Sequence, residues 1–378
     1  MIRVAWITTG FSKDENDFSG AAAIHNLARE LSLNPEIRLT IFSFYYPFNR
    51  PEYRVYNADV FSFAGTDLHK KLDKPGIWRR CMKKFGEENT KNKFDLIHSM
   101  WTGESGYIAS KLSKQYKIPL AVSILGGELA EIKEIKYGSR IKFWQKRFVD
   151  TSLNNAKKVI AGSDYIIDKI KLYYGNNILK KTIKLPLGVD DKVFFPISQG
   201  VHGERKLRLI NIANCVPVKS HETLFKAIKI VIKTFPEIKL TVCGKDEKKY
   251  LSTLRSKLNL ENNIVINDFV SHSDVPKTLN DSGIFVLSSL YESQNMSIIE
   301  AAFCGLPVIS TDVGVTGEIT QHIVKPGDYI PLADEIVQVV NNYTSEKKEA
   351  LKKVCKLKEK YGLNNITEGY LNFYKELI

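Results

Sequence analysis

Residues 284 to 310 restrict the fold of this 378-residue chain more than any other segment. The segment begins with four apolar residues, Ile284–Leu287, which predict a buried strand, and it ends with a second apolar run at Val308–Ser310. A polar loop, a helical pattern over Met296–Phe303 and a Gly-Leu-Pro turn lie between the two runs. A strand, a helix and a second strand in this order predict parallel strands joined by a crossover helix.

Two glutamates, Glu292 and Glu300, stand eight positions apart within this segment. The first lies where the strand ends, and the second lies about one turn into the helix. Open α/β sheets bind ligands at the carboxyl ends of their strands. Two carboxylates there can accept hydrogen bonds from several hydroxyls, as a sugar and a ribose require, and the helix N-terminus offers free N–H groups to a phosphate.

Strand patterns alternate with helical patterns along the rest of the chain, which predicts parallel α/β layers. The first half predicts strands near Arg3–Thr8, Arg38–Phe44, Asp95–His98, Leu120–Ile124 and Lys158–Ala161, and helices over Ala21–Leu33, Glu104–Lys117, Gly138–Asn155 and Asp164–Tyr174. The second half predicts strands near Lys206–Asn211, Lys239–Cys243, Ile264–Ile266, Ile284–Leu287 and Val308–Ser310, and helices over Ser220–Thr234, Glu247–Leu258, Ser273–Asn280 and Met296–Phe303.

The residues from Pro186 to Pro196 and the polar stretch after them lack any periodicity and are rich in Pro and Gly, which indicates a linker. A chain of 378 residues is long for a single core, so the sequence predicts two domains.

The segment from Tyr291 to Gly314 resembles the nucleotide-sugar site of family-4 retaining glycosyltransferases, through its Glu-x7-Glu, its Glu-Ala-Ala-Phe-Cys-Gly-Leu-Pro-Val-Ile run and its Thr-Asp-Val-Gly. The linker sequence Leu-Gly-Val-Asp, followed by Phe-x-Pro, is similar to the hinge of the same enzymes. The resemblance implies the GT-B fold: two Rossmann-like doubly wound domains that face a central cleft, with a C-terminal helix crossing back to the N-domain. The implied boundaries are 1–187 plus the helix at about 364–378 for an acceptor-binding domain, 188–205 for a hinge, and 206–363 for a nucleotide-sugar-binding domain.

The same resemblance assigns roles to residues of the second domain. Lys219 matches the lysine of a Gly-Arg-Leu-x3-Lys-Gly motif whose Arg and Lys hold the donor diphosphate, whereas Asn214 and Ser220 replace the Arg and the second Gly. Glu292 would bind the donor sugar and, with Lys219, is the implied catalytic pair. The implied donor-binding residues are Glu300, Asn214, Ser293, Gln294, Asn295, Met296, Ser297 and Gly20.

The Glu292 loop lacks the two glycines of the family's Glu-Gly-Phe-Gly, so the loop loses the residues that adopt positive φ most easily. Asn295 is a residue type that can supply that conformation.

The first domain carries a loop between Gly10 and Gly20 that precedes a helix and suits a diphosphate, although it matches neither a P-loop nor a dinucleotide fingerprint. Leu125 stands where relatives have a histidine that contacts the donor sugar. Glu128 stands in for the aspartate of that motif. The candidate acceptor or sugar contacts are His98, Gly126, Gly127 and Glu128.

The formal charge of +13 predicts an anionic partner. Nucleic acid is disfavoured because the basic residues are spread along the chain and no recognition signature is present. Two helical patterns, residues 70–84 and 140–149, combine cations with aromatic residues. Such helices either lie on an anionic membrane or pack their aromatic stripe into the domain while the cations stay solvated.

Several classes of protein are excluded. The chain has no Asp-x-Asp and no His, Cys or carboxylate cluster with metal-ligand spacing, so neither a metal nor any other cofactor is expected. Its five scattered cysteines predict reduced thiols, and no apolar run is long enough to span a bilayer. The apolar N-terminus is interpreted as the first strand. These features predict a cytoplasmic protein, with peripheral contact at the inner membrane face as an option.

The sequence therefore predicts a retaining, metal-independent glycosyltransferase. It would move a sugar from a nucleoside diphosphate, UDP or GDP, to a glycan or a lipid-linked acceptor in cell-envelope polysaccharide or glycolipid synthesis. A nucleotide-sugar epimerase of the GT-B fold is one alternative. A non-catalytic nucleotide-sugar-binding subunit is another, because Leu125 and Asn214 depart from the family pattern.

Overall fold

The structure is a computed structural model that describes residues 1–18, 21–64, 73–197, 203–246, 249–268 and 270–378, with residues 203 and 204 described by their backbone only. The chain forms two compact units, one of Met1–Gly188 with Leu363–Ile378 and one of Val189–Gly362. Each unit has its own sheet with helices packed against it, so the predicted α/β class is confirmed.

The first unit is built on an eight-stranded sheet. Its strands are β1 (Ile2–Thr8), β2 (Ile37–Ser43), β3 (Glu52–Val55), β4 (Ala58–Ser62), β5 (Leu96–Met100), β6 (Leu120–Ile124), β7 (Lys158–Ala161) and β8 (Thr182–Lys184). Its helices, apart from the last helix of the chain, are α1 (Ala22–Leu33), α2 (Lys74–Lys91), α3 (Glu104–Tyr116), α4 (Phe143–Asn155) and α5 (Asp164–Leu179).

The strands of this sheet lie in the order β3-β4-β2-β1-β5-β6-β7-β8. All neighbours run parallel except β3 and β4, which form an antiparallel pair at the edge. The central strands are buried on both faces, as parallel strands between helical layers must be, and their sequences are therefore nearly continuous apolar runs. The β3–β4 pair was not predicted, because β3 is short and carries charged residues on an exposed edge.

The second unit is built on a six-stranded sheet in the order β11-β10-β9-β12-β13-β14, in which every neighbour is parallel. Its strands are β9 (Arg208–Ile212), β10 (Lys239–Cys243), β11 (Ile264–Asn267), β12 (Ile284–Leu287), β13 (Val308–Thr311) and β14 (Ile323–Val324). Its helices are α6 (His221–Val231), α7 (Tyr250–Lys257), α8 (Val275–Asn280), α9 (Met296–Phe303), α10 (Thr316–Ile319), α11 (Tyr329–Asn341) and α12 (Tyr343–Tyr361).

Both sheets reverse their strand order at one place. In the first unit the chain moves outward from β1 to β2 and then returns to place β5 on the other side of β1. In the second unit the reversal lies between the neighbouring strands β9 and β12: the chain moves outward from β9 to β11 and then returns to place β12 on the other side of β9. Loops diverge at such a switch point and leave a crevice at the carboxyl ends of the strands, which is where α/β sheets bind ligands.

The last helix, α13 (Leu363–Leu377), packs on the first unit. Its buried residues recur every three or four positions and form one apolar stripe. From that stripe the Tyr374 hydroxyl reaches Trp6 Nε1 on β1 at 2.9 Å and His98 Nδ1 on β5 at 2.8 Å. The C-terminal helix therefore completes the core of a unit whose first strand lies more than 350 residues earlier in the chain.

Several predicted helix starts lie too early by one to five residues, and for two of them the backbone gives the reason. The helix expected from Gly138 begins at Phe143, because Gly138 has φ 117° and presses against the Ala130 carbonyl. The helix expected from Ser220 begins at His221, because Ser220 is left-handed with φ 49° and ψ 48°.

Candidate functional site

Three loops of the second unit meet at the switch point of its sheet. They follow β9, β12 and β13 and are tied together by hydrogen bonds. The Leu290 N–H donates to the Val218 carbonyl at 2.7 Å, and the Ser288 hydroxyl donates to the Lys219 carbonyl at 2.9 Å. The Thr311 hydroxyl donates to the Ser289 carbonyl at 2.7 Å. Because each loop is bonded to a neighbour, their side chains are held in fixed positions.

Lys219 and Glu292 form an ion pair between two of these loops. The Lys219 ammonium donates to Glu292 Oε1 at 2.6 Å, and the Ser289 hydroxyl donates to the same oxygen at 2.7 Å. The side chains retain 25% and 12% exposure, so the pair lies at the edge of the protein rather than in its core. Within the part of the chain that the structure describes, the second oxygen of Glu292 has no partner and can accept from a ligand hydroxyl.

Glu300 lies on α9, as predicted, and is half-buried. Burial raises the pKa of its carboxyl to about 7. Among the described residues the carboxylate has no hydrogen bond and no ion pair. This carboxyl group has lost part of its hydration and has gained no hydrogen bond from the described protein groups in return. It can therefore gain a partner only from a ligand or from water.

The N-terminus of α9 is open to a ligand. Asn295 caps it in a left-handed conformation, with φ 68°, and its side-chain oxygen accepts from the Ile298 N–H at 3.3 Å and from the Ser297 hydroxyl at 2.8 Å. The side-chain nitrogen of Asn295 is buried and has no partner within the described residues. This donor, the free N–H groups of the first turn and the helix dipole all favour an anion at this position.

Gly314, in the loop after β13, packs directly against the backbone of the Glu292 loop. Its φ is 58°, and an added Cβ would lie 2.7 Å from the Gln294 carbonyl oxygen and 3.2 Å from Glu292 Cβ. The Val315 N–H donates to the same Gln294 carbonyl at 3.1 Å. Only glycine satisfies both the conformation and the close approach.

The other donor-site candidates have their side chains engaged or buried. Ser293 and Gln294 are almost fully buried, so their side chains point into the protein and a ligand could contact only their backbone. Asn214 is exposed, and its side-chain oxygen accepts from the Lys245 N–H at 3.1 Å. Met296 and Ser297 form the first turn of α9. Gly20 lies outside the described residues.

His98 lies in the core of the first unit. It is fully buried, and its two ring nitrogens bond to the Tyr374 hydroxyl and the Ser123 hydroxyl at 2.8 Å each. Burial lowers the pKa of His98 to about 3, so the ring is neutral at physiological pH. The His98 side chain therefore links β5 and β6 to α13.

Glu128 organises the loops at the carboxyl ends of β5 and β6. Its buried carboxylate accepts N–H groups from Thr102 at 3.3 Å, Leu125 at 3.2 Å and Gly126 at 2.6 Å. Burial raises its pKa, and the backbone N–H groups offset part of that rise. Gly127 allows a close approach to the Tyr137 ring, since an added Cβ would lie 2.9 Å from it, whereas a Cβ at Gly126 would make only ordinary contact with the Glu128 carboxylate at 3.4 Å.

A cavity of about 310 Å³ opens at the carboxyl ends of β1, β2 and β5. Phe11, Tyr46 and Trp101 give it an aromatic lining. Trp101 has φ 75°, which is unusual for an aromatic residue, and its carbonyl accepts from the Ser99 and Ser105 hydroxyls at 2.8 and 3.1 Å. Sequence reasoning missed this residue, because the predicted strand ended at His98 whereas β5 runs to Met100 and places Trp101 directly after its carboxyl end.

Among the described residues, no group of three or more His, Cys, Asp or Glu residues is arranged to hold a metal ion. No helix in that part of the chain combines the length and the apolar character needed to cross a membrane.

The sequence profile of the family described as Glycosyl transferases group 1 matches residues 194–360. The match spans nearly all of the second unit and includes Lys219, Glu292 and Glu300. The second unit is a glycosyl transferases group 1 domain.

Two relatives match most of the chain. The 2-deoxystreptamine N-acetyl-D-glucosaminyltransferase of Niallia circulans is 24% identical over 301 residues, which are 75% of this chain and 77% of that protein. The UDP-Gal:alpha-D-GlcNAc-diphosphoundecaprenol alpha-1,3-galactosyltransferase of Escherichia coli is 24% identical over 307 residues, which are 74% of this chain and 72% of that protein.

A solved structure of Anabaena Alr3699/HepE in complex with UDP and glucose superimposes with a TM-score of 0.75 at 16% identity, and the match covers 100% of each chain. Similarity at this level of identity shows the fold. The chain, with its two units, has the GT-B fold.

Proposed function

We propose that this protein is a retaining, metal-independent glycosyltransferase that moves a sugar from a nucleoside diphosphate to a glycan or lipid-linked acceptor. The observation that carries the proposal is the site at the β9–β12 switch point, in a glycosyl transferases group 1 domain. Lys219 and Glu292 form an ion pair there, and Glu300 is a half-buried acid without a partner among the described residues.

Each group of the donor has a matching group in this site. The diphosphate would lie between the Lys219 ammonium and the N-terminus of α9. At that N-terminus the side-chain nitrogen of Asn295 is a buried hydrogen-bond donor that has no acceptor among the described residues. Glu300 would accept hydrogen bonds from both ribose hydroxyls, and the free oxygen of Glu292 would accept one from the donor sugar. Asn214 would contribute less than an arginine, because it is neutral.

In the proposed transfer, the bond between the anomeric carbon and the β-phosphate oxygen breaks while the acceptor oxygen bonds to the same face of that carbon. The acceptor proton passes to the departing phosphate oxygen, so no separate general base is needed. Lys219 and the α9 N-terminus would stabilise the negative charge that develops on the leaving diphosphate. Positioning of the two substrates supplies the remaining acceleration.

For the acceptor we propose the aromatic cavity of the first unit, because a sugar ring packs well against faces such as those of Trp101 and Tyr46. The names of two relatives support acceptors with hydroxylated rings: one is named for 2-deoxystreptamine, an aminocyclitol, and the other for a GlcNAc-diphosphoundecaprenol. A cytoplasmic location, with contact at the inner face of the membrane, would suit a lipid-linked acceptor.

The first test is a thermal-shift screen of the purified protein against UDP, GDP, ADP, TDP and CMP. We expect one nucleoside diphosphate to raise the melting temperature, Glu300→Ala to abolish that rise, and Glu349→Ala, on an exposed face of α12, to retain it. The absence of a shift with every nucleotide would contradict the donor site.

The nucleotide that binds then selects the donor sugars for a turnover assay with and without acceptors, in the presence of EDTA. Isomerised sugar formed without an acceptor would favour the epimerase. Binding without any turnover would favour a non-catalytic subunit, an alternative to which the neutral Asn214 and its bond to the Lys245 backbone lend support.

A further inference from the structure

The first unit has a basic, aromatic face built from α2, α3 and α4. A groove of about 660 Å³ runs between α2 and α3 over the apolar side chains of Trp78, Met82 and Ile108. Arg79, Lys83 and Lys111 line it, and all three are exposed. Within the described residues these cations form no ion pair, and no carboxylate lines the groove.

An aromatic row extends this face onto α4. The Trp78 ring contacts the Phe148 and Tyr107 rings, with centroids 5.8 and 6.3 Å apart. Trp144 stands four positions before Phe148, so the two lie on the same face of α4 and Trp144 continues the row. Trp144 and its neighbour Phe143 are each 68% exposed.

The arrangement joins two features that the sequence left separate. The helical patterns at residues 70–84 and 140–149 each combine cations with aromatics, and the structure brings their described parts together through the contact of Trp78 with Phe148. The result is an apolar surface bordered by uncompensated positive charge on a chain of formal charge +13.

We propose that this basic, aromatic face docks on an anionic phospholipid bilayer. Charge complementarity selects the partner, because Arg79, Lys83 and Lys111 attract acidic headgroups whereas a neutral surface would leave them uncompensated. Phe143 and Trp144 enter the interfacial region, where amphipathic aromatic rings are stable. Binding to lipid needs neither donor nor acceptor, so it is independent of the glycosyltransferase reaction.

The test is co-sedimentation of the full-length protein with vesicles of phosphatidylcholine alone or of three parts phosphatidylcholine to one part phosphatidylglycerol. We expect binding only to the anionic vesicles. The triple variant R79A/K83A/K111A should bind roughly a hundredfold more weakly, because each basic residue near such a surface contributes about a factor of five. The double variant F143S/W144S should lose the part of the binding that resists added salt.

The matched control is K348A/K352A/K356A, which removes the same charge from three exposed lysines of α12 in the second unit. This variant should bind anionic vesicles as the unsubstituted protein does. Equal loss in both triple variants, equal binding to neutral vesicles, or no binding at all would overturn the proposal. A dimer in solution that F143S/W144S dissociates, without vesicle binding, would show instead that a second copy of the chain covers the face.

Discussion

Ser220 and Asn295 show how single residues set the shape of the candidate site. Both are left-handed residues that precede a helix, with φ of 49° and 68°. The family motifs that the chain resembles have glycine at both positions, and the structure supplies the reason: each helix begins only after the backbone has turned through positive φ. Side chains cost more than glycine in this conformation, and asparagine costs less than serine.

The first prediction concerns the left-handed Ser220. We expect Ser220→Gly to be more stable than Ser220→Ala by about 1 kcal/mol, because both variants lose the hydroxyl bond to Thr223 but only glycine relieves the positive φ. Chemical denaturation of the two variants measures the difference in the free energy of unfolding. Equal stability would show that Ser220 is not strained.

The second prediction concerns the protonation of Glu300. Its pKa of about 7 in the folded protein exceeds the ordinary value of 4.5, so between these pH values the folded state binds more protons than the unfolded state. The contribution of Glu300 to the free energy of unfolding therefore falls as pH rises through this window. Glu300→Gln should remove that fall, which denaturation at pH 5 and pH 8 measures.

The same titration should affect ligand binding. Since the ionised carboxylate is the better acceptor for two hydroxyls, nucleoside diphosphate affinity should weaken as pH falls below about 7. Calorimetric titrations of the wild type and Glu300→Gln across this range separate the effect from the ionisation of the nucleotide. Parallel pH profiles for the two proteins would contradict the role given to Glu300.

At the scale of secondary structure, the site depends on loops that hold one another. The loop after β12 carries Glu292 and bonds to the loop after β9 through Leu290 and Val218. On its other side it rests on Gly314 in the loop after β13. Three strand ends thus position one carboxylate, which explains how the loop keeps its shape without the two glycines of the family pattern.

The third prediction tests this support. Gly314→Ala should destabilise the protein by about 2 kcal/mol or more and abolish nucleotide binding, because the new Cβ meets the Gln294 carbonyl at positive φ. Gly317→Ala, three positions later in α10, meets nothing within 4 Å and should be close to neutral. Melting curves with and without nucleotide measure both effects. Normal binding by Gly314→Ala would show that the loop shape does not depend on Gly314.

At the scale of the whole molecule, the second unit is an insertion in the first. Val189 pairs with Gly362 in an isolated bridge, and the Val189 N–H donates to the Tyr361 carbonyl at 2.9 Å. The two ends of the second unit therefore lie side by side. Gly188 and Leu363 are also in contact, so the two positions of the first unit between which the second unit is inserted are adjacent.

The fourth prediction follows from these paired ends. Residues 189–362 expressed alone should fold cooperatively and bind the same nucleoside diphosphate as the full chain, because the unit contains its own sheet, core and site. Residues 1–188 joined through a short Gly-Ser linker to residues 363–378 should also fold. Circular dichroism and calorimetry check both fragments. An unfolded 189–362 fragment would show that its core is incomplete without the first unit.

The sequence by itself determined the α/β class, the βαβ unit that carries Glu292 and Glu300, and the placement of Lys219 before a helix. These features depend on local periodicity and on residue spacing along one short segment. Tertiary structure alone decided which residues meet: Lys219 pairs with Glu292 across 73 positions, Gly314 lies under the Glu292 loop, and His98 is held in the core by a tyrosine 276 positions later. Such contacts follow from strand order and the close approach of loops, and neither leaves a periodic pattern in the sequence.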